Sequence, residues 1–356
     1  MIKSCYIHIP FCKSICSYCD FCKYYYNDSW VEKYIISLEN EIKKRYKNEM
    51  LDTLYIGGGT PSSLDIESLN KLFKVLNIFK LNKNYEYTIE FNIEDISEEK
   101  LKICKKNKVN RISIGVESFN KDNLNFLNRK NTNIEEKISL VKKYFDNINI
   151  DLIYALPNET LDVLRSDLDN FLKLDVPHIS CYSLIIEEHT KLHNLGVKNI
   201  DEDMDYEMYK LINTKLKDYN HYEISNYAKE GYESRHNLTY WNNEEYYGFG
   251  VGAASFIGNK RINASKSINK YLNNNFVYDE EILSKEDNIS YELILGFRKI
   301  KGINIKKFND KFGIDILSLE NVKKLVNEDK LVISQGQIYV NEKYLYVENK
   351  ILEEFV

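Results

Sequence analysis

Tyr6-Ile7-His8-Ile9-Pro10-Phe11-Cys12-Lys13-Ser14-Ile15-Cys16-Ser17-Tyr18-Cys19 is the stretch that decides the fold. A short apolar run, Cys5–Ile9, reads as a first strand. The loop after it spaces three cysteines as CxxxCxxC, so that one tight turn can aim three thiolates at one point. Three thiolates on a four-iron cluster leave one iron without a protein ligand. An iron with an open site can bind and reduce a small molecule. The competing readings are a structural zinc loop and cysteines scattered in a reduced core. Zinc wants four ligands in paired CxxC groups, and the chain has no second pair.

The chain of 356 residues can bury a large core and hold one big domain beside a small one. Its 49 basic and 54 acidic residues give a formal net charge of −5, and no basic block stands out, so no nucleic-acid partner is expected. No signal-peptide pattern precedes the first strand, and no apolar stretch is long enough to span a bilayer. Seven cysteines, four of them between Cys12 and Cys22, do not suit a disulfide framework. A cytoplasmic, reducing location follows as the expectation.

Strand-like and helix-like segments alternate along the first half. Apolar, β-branched runs occur at Thr53–Ile56, Tyr87–Phe91, Arg111–Ile114, Ile148–Tyr154 and Ile179–Leu184 as well as at Cys5–Ile9. Between them lie amphipathic stretches with helical spacing: Val31, Tyr34, Ile35, Leu38 and Ile42; Leu69, Leu72, Phe73 and Leu76; Leu161, Leu164, Leu168, Phe171 and Leu172. Six βα repeats imply a parallel sheet with helices outside, either an open barrel or a doubly wound sheet. They are too few for a closed eight-stranded barrel. Ligands then belong at the carboxyl ends of the strands, where the cysteine loop also falls. Beyond Asp201 the pattern changes, with a helix expected over Tyr206–Tyr219. From about Asp287, short helices and strands at Leu331–Ser334 and Gln337–Val340 suggest a small separate unit resembling a winged helix.

Polar motifs sit at the ends of these strands. Gly57-Gly58-Gly59-Thr60-Pro61 follows the second, and glycines there leave backbone N–H and C=O groups open to a ligand's amino or carboxylate group. Glu90 closes the third strand, Glu117 follows the fourth, Arg129 lies in the next loop, and Asp151 lies within the fifth. Several such groups on one rim suit a ligand with an amino acid end and a ribose.

With Tyr18 before its third cysteine, the CxxxCxΦC loop (Φ, aromatic) resembles the signature of the radical S-adenosylmethionine (SAM) superfamily. The GGGTP motif resembles the one that holds the methionyl amino group of SAM. Asn110–Phe119 and Ile150–Pro157 are similar to blocks of the oxygen-independent coproporphyrinogen III oxidase family. The match continues through Tyr6–Phe11, His236–Trp241 and Leu295-Gly296-Phe297-Arg298. This resemblance implies an α/β fold: a partial (βα)6 radical SAM barrel with a small C-terminal α+β, winged-helix-like domain. It implies a core over 1–220, a barrel-extension and heme-binding segment over 221–285, and the terminal domain over 286–356. It further implies a [4Fe-4S] cluster on Cys12, Cys16 and Cys19, and a SAM site lined by Tyr6, Tyr18, Gly58, Gly59, Thr60, Glu90, Glu117, Arg129, Asp151 and Ile185. The chain departs from the family pattern at Glu117 (usually Gln), Ile93 (Pro), Asn131 (His) and Ala254 (His).

Oxidases of this family carry a fourth cysteine two residues after the third and a longer leading segment. Here position 21 is Phe21, only eleven residues precede Cys12, and Cys22 comes one residue too late. Both departures resemble the HemW branch of heme chaperones. His236-Asn237-Leu238-Thr239-Tyr240-Trp241 is similar to that branch's HNxxYW heme motif. It offers an imidazole as axial iron ligand, with Asn237 beside it and Tyr240 and Trp241 as flat partners for a porphyrin. The branch implies heme as ligand, an acceptor protein (a membrane-associated respiratory component is one candidate), and room for a homodimer. It implies no coproporphyrinogen oxidase activity. The rival readings are that oxidase, another radical SAM enzyme such as a methyltransferase, and a cluster used for electron transfer alone.

Overall fold

The structure is a computed structural model that describes residues 1–356. Six parallel strands carry the first half: β1 (Ser4–Ile9), β2 (Met50–Gly58), β3 (Lys80–Asn92), β4 (Arg111–Glu117), β5 (Asn147–Tyr154) and β6 (His178–Ser183). Each pairs with the next in chain order. The sheet is larger than six strands and is mixed. On the β6 edge it adds β7 (Asn220–Glu223) and β8 (Asn226–Ala228), with β8 antiparallel to β6. On the β1 edge it adds β9 (Tyr246–Phe249), parallel to β1, and then antiparallel β10 (Ala254–Ile257), β11 (Lys260–Ala264) and β12 (Tyr278–Ile282). The order β12-β11-β10-β9-β1-β2-β3-β4-β5-β6-β8-β7 leaves both ends unpaired, so the barrel is open.

Side-chain alternation divides each core strand into two faces. Cys5, Ile7 and Ile9 of β1, Ile89 and Phe91 of β3, Ile112, Ile114 and Val116 of β4, and Ile148, Ile150 and Leu152 of β5 are all buried in one apolar core with the helices. Each of the aliphatic and phenyl side chains contributes about 1.5–3 kcal/mol by leaving water. The alternate positions, Glu90 on β3, Arg111, Ser113 and Glu117 on β4, and Asn149 and Asp151 on β5, face the barrel interior, which is polar.

Helix Asp28–Arg45 shows how the outer layer is fixed. The Asn27 side chain accepts a hydrogen bond from the Trp30 N–H, and Lys43, Lys44 and Arg45 close the last turn, where the helix dipole favours cations. Val31, Tyr34, Ile35, Leu38 and Ile42 form its buried face. The helix expected over Tyr206–Tyr219 is Glu202–Lys215, because the Asp201 side chain caps it by accepting from the Asp203 N–H. Near the C-terminus, Leu331–Ser334 and Gln337–Val340 pair as expected, and Ile303–Asn304 adds a third strand. Phe297, Phe308, Val322, Leu325, Ile338 and Phe355 belong to a core of their own beneath them. No helix is long and apolar enough to cross a membrane.

Candidate functional site

A cavity of about 430 Å³ opens at the carboxyl ends of the core strands and runs down into the barrel. The three motif cysteines stand at its mouth. Their loop is closed at the base by hydrogen bonds from the Tyr24 N–H to the Pro10 carbonyl (2.7 Å) and from the Tyr26 N–H to the Cys12 carbonyl (2.9 Å). It is tied to the far rim by Ser17 Oγ, which donates to the Phe126 carbonyl, and by Asn128 Nδ2, which donates to the Ile15 carbonyl (both 2.8 Å). All three thiols are free and line the cavity, although they are not gathered into a closed coordination sphere. Burial pushes the Cys12 thiol up to about 11, with a Thr60 hydroxyl hydrogen bond opposing it, and raises Cys16 and Cys19 as well. Cys22 stands apart from the lining.

The glycines after β2 are required by space and by backbone. A Cβ at Gly59 would lie 2.7 Å from the Pro10 carbonyl carbon and 3.0 Å from Cys12 Sγ. Gly58 has φ +118°, a region that L side chains rarely enter. The Gly58 N–H donates to Glu90 Oε2 (3.0 Å), and the Tyr55 hydroxyl donates to Glu90 Oε1 (2.7 Å). Burial raises Glu90 to about 7 despite these two donors.

On the opposite wall, Arg129 forms a buried ion pair with Glu117. Its other donors reach Asn92 Oδ1 (2.6 Å) and the Tyr18 hydroxyl (3.2 Å), which fixes the aromatic residue of the cysteine loop against the barrel. Glu117 thus gives Arg129 a carboxylate partner, while burial raises its carboxyl. Asn131 donates to the Val116 carbonyl (2.6 Å), and Ile93 is fully buried in the turn after β3. Ala254 is exposed at the start of β10. Asp151 accepts from Asn149 Nδ2 (2.8 Å), and burial raises its carboxyl.

Of the residues expected at a SAM site, Tyr18, Gly58, Gly59, Thr60, Glu90, Glu117, Arg129, Asp151 and the 65% exposed Ile185 line this one cavity. Tyr6 does not, because it points inward one layer behind the cysteine loop. There its hydroxyl meets His8 Nδ1 (3.0 Å), and His8 Nε2 donates to the Cys22 carbonyl (2.7 Å). Sequence reasoning missed Tyr55, Asn92, Arg111, Asn149 and Ser180, all of which line the cavity. Their inward position on the alternating strands was the available signal.

The His236–Trp241 segment lies within helix Arg235–Trp241, which plugs the barrel from below. Glu86 of β3 caps this helix, with its two oxygens accepting the Arg235 and His236 N–H groups (both 3.0 Å). His236 is 1% exposed and its ring stacks on Tyr55, with centroids 5.0 Å apart. Nδ1 bonds the Thr53 hydroxyl and Nε2 the Tyr240 hydroxyl, both at 2.8 Å, so neither nitrogen is free as it stands. Burial drops the imidazole to about 3, which keeps it neutral. Asn237 reaches the cavity, and Arg298 lies over the Trp241 ring. The structure therefore places His236 inside the barrel floor, apart from any surface groove.

The donor set suits an iron–sulfur cluster: three unpaired thiols on one wall, with a glycine pressed against Cys12 Sγ. The surrounding carboxylates, and Arg129 with its Nε unpartnered, suit a polar ligand beside it. The family model of the radical SAM superfamily matches residues 6–170. The chain is 39% identical to the heme chaperone HemW of Lactococcus lactis, covering 99% of this chain and 97% of that protein. It is 37% identical to HemW of Bacillus subtilis, covering 100% and 99%. The solved structure of coproporphyrinogen III oxidase from Escherichia coli, described as a radical SAM enzyme, is similar with a TM-score of 0.87 at 21% identity, over 99% of this chain and 90% of that one. That likeness shows the fold, an α/β barrel whose mixed sheet stays open. With this architecture, these thiols on one wall and near-complete alignment to those relatives, the chain belongs to the HemW family, its residues 6–170 carrying the radical SAM match.

Proposed function

We propose that this chain is a heme chaperone, which binds heme together with a SAM-ligated [4Fe-4S] cluster and passes heme to an acceptor protein. The observation that carries the reading is the end-to-end similarity to proteins named heme chaperones. The absence of a cysteine at position 21 supports it over the oxidase. Cys12, Cys16 and Cys19 would hold the cluster, which when bound would supply an iron open to the amino acid end of SAM. Gly58, Gly59 and Thr60 receive that end. Glu90, Glu117 and Asp151 are placed to accept from amino and hydroxyl groups, while Arg129 holds Glu117 and Tyr18 in position. His236 Nε2 reaches iron only after the Tyr240 hydroxyl, one turn along the same helix, swings away from it. The core spans 1–220, the heme segment 221–285 and the terminal domain 286–356, in a cytoplasmic protein.

The test is anaerobic cluster reconstitution, then heme titration and, separately, incubation with SAM and coproporphyrinogen III. Saturable heme binding lost in His236→Ala, with the cluster retained and no decarboxylated porphyrin formed, is the expected result. A vinyl-bearing product together with 5′-deoxyadenosine would establish the oxidase instead.

A further inference from the structure

Arg111 opens β4 and is one of the largest fully buried side chains in the chain, 2% exposed. It forms no ion pair and no side-chain hydrogen bond, and its Nε is buried without a partner. Its guanidinium lines the cavity. The chain treats its other buried guanidinium groups differently. Arg129 is bonded to Glu117, Asn92 and Tyr18, and Arg45 is bonded to Glu41, the Gly248 carbonyl and Ser255.

No carboxylate forms an ion pair with it, although its charge favours the ionised form of Asp151. Asp151 is engaged by Asn149 and Ser113, Glu90 by Tyr55 and Gly58, and Glu86 by the plug helix. An unpaired buried cation is costly, and Arg favours bidentate pairing with a carboxylate. A ligand carboxylate is the missing partner. The amino acid end of SAM is taken at the cysteine loop. Arg111 lies four residues below Gly115, the partner of Asp151, which is ~13 Å along the strand. At the mouth of the cavity Phe21 (64% exposed), Ile185 and Tyr182 (41%) offer apolar surface between polar neighbours such as Asp20, Lys23 and Glu187. One guanidinium without an ion pair deep in the cavity, below a mouth that exposes aromatic and aliphatic surface, fits a flat apolar body that carries carboxylates on one edge.

We propose that Arg111 anchors a propionate carboxylate of a tetrapyrrole that enters the cavity carboxylate edge first. Asn237, whose side chain lines the cavity without a hydrogen-bond partner, offers a second donor. The site rests on the heme reading above and adds to it a direction of entry and a requirement for free carboxylates.

The test titrates the cluster-loaded full chain with hemin and with hemin dimethyl ester, following the Soret band, in wild type, Arg111→Gln and Arg111→Lys. Wild type is expected to bind hemin about tenfold or more tightly than the diester. Arg111→Gln should erase that difference by weakening hemin alone, and Arg111→Lys should fall between. Equal binding of the two hemins by wild type, or equal weakening of both in Arg111→Gln, overturns the site and leaves the chaperone reading intact. Binding of neither by wild type removes both. If Arg111→Gln loses its cluster absorbance and fold, the wild-type comparison decides alone.

Discussion

Replacing Glu90 by Gln should abolish a pH dependence that the wild-type chain shows in binding SAM. Glu90 is held at about 7, raised first by burial, while the Tyr55 hydroxyl and the Gly58 N–H pull it partly back. Its folded pKa lies above its unfolded one, so the group favours the folded state at low pH, and that contribution is lost as pH rises from ~4.5 through 7. A ligand reverses the preference, because the sulfonium charge and ribose hydroxyl donors of SAM favour the ionised carboxylate. Binding below pH 7 must then remove a proton. At pH 6 roughly one chain in eleven has Glu90 ionised, and at pH 8 roughly ten in eleven. The apparent affinity should therefore fall about tenfold between pH 8 and pH 6, equivalent to about 1.4 kcal/mol. Anaerobic isothermal titration of cluster-loaded protein at both pH values, in two buffers of different ionisation heat, measures the affinity and counts the proton. Equal wild-type affinity at pH 6 and pH 8, or an unchanged slope in Glu90→Gln, would refute the assignment.

Two further outcomes follow from buried charges elsewhere. Glu348 is 3% exposed, its Oε1 has no partner, and burial raises it to about 8. Glu348→Gln should therefore stabilise the chain by about 4 kcal/mol at pH 8 and by less than about 1 kcal/mol at pH 5, read as the shift in urea midpoint. The fully buried Glu41 accepts from Arg45 (2.8 Å), Tyr271 (2.7 Å), Tyr278 (2.8 Å) and the Gly250 N–H (2.8 Å), joining helix Asp28–Arg45 to the glycine turn after β9. Glu41→Ala strands all four donors and should cost about 3–5 kcal/mol, whereas a loss below about 1 kcal/mol in the same denaturation assay would contradict that network.

The strands and the cysteine loop were legible because they are local signals: β-branched runs of period two and a short fixed spacing. Glu90, Glu117, Arg129 and Asp151 were found because strand ends point to one rim in this fold class. Tyr55, Asn92 and Arg111 were not, since their roles depend on register between strands far apart in sequence, as when Arg111 pairs with Thr88 and Asn147. Tyr6 was assigned to the SAM site from its place in a motif; alternation does turn it inward, but its ring packs among His8, Tyr55 and His236 instead of lining the cavity. His236 was read as an open imidazole because nothing adjacent in sequence announces Thr53 or Tyr55, which lie more than 180 residues away and take its face and one nitrogen.

The two faces of β4 have a consequence for how such a protein can change. Ile112, Ile114 and Val116 are answerable to the helices, whereas Arg111, Ser113 and Glu117 are answerable to whatever lies inside. Inheritance can therefore edit one set of letters while leaving the other untouched. A lineage could exchange the cargo of the barrel in small steps, each leaving the shell folded, and the cargo would be written in every second residue.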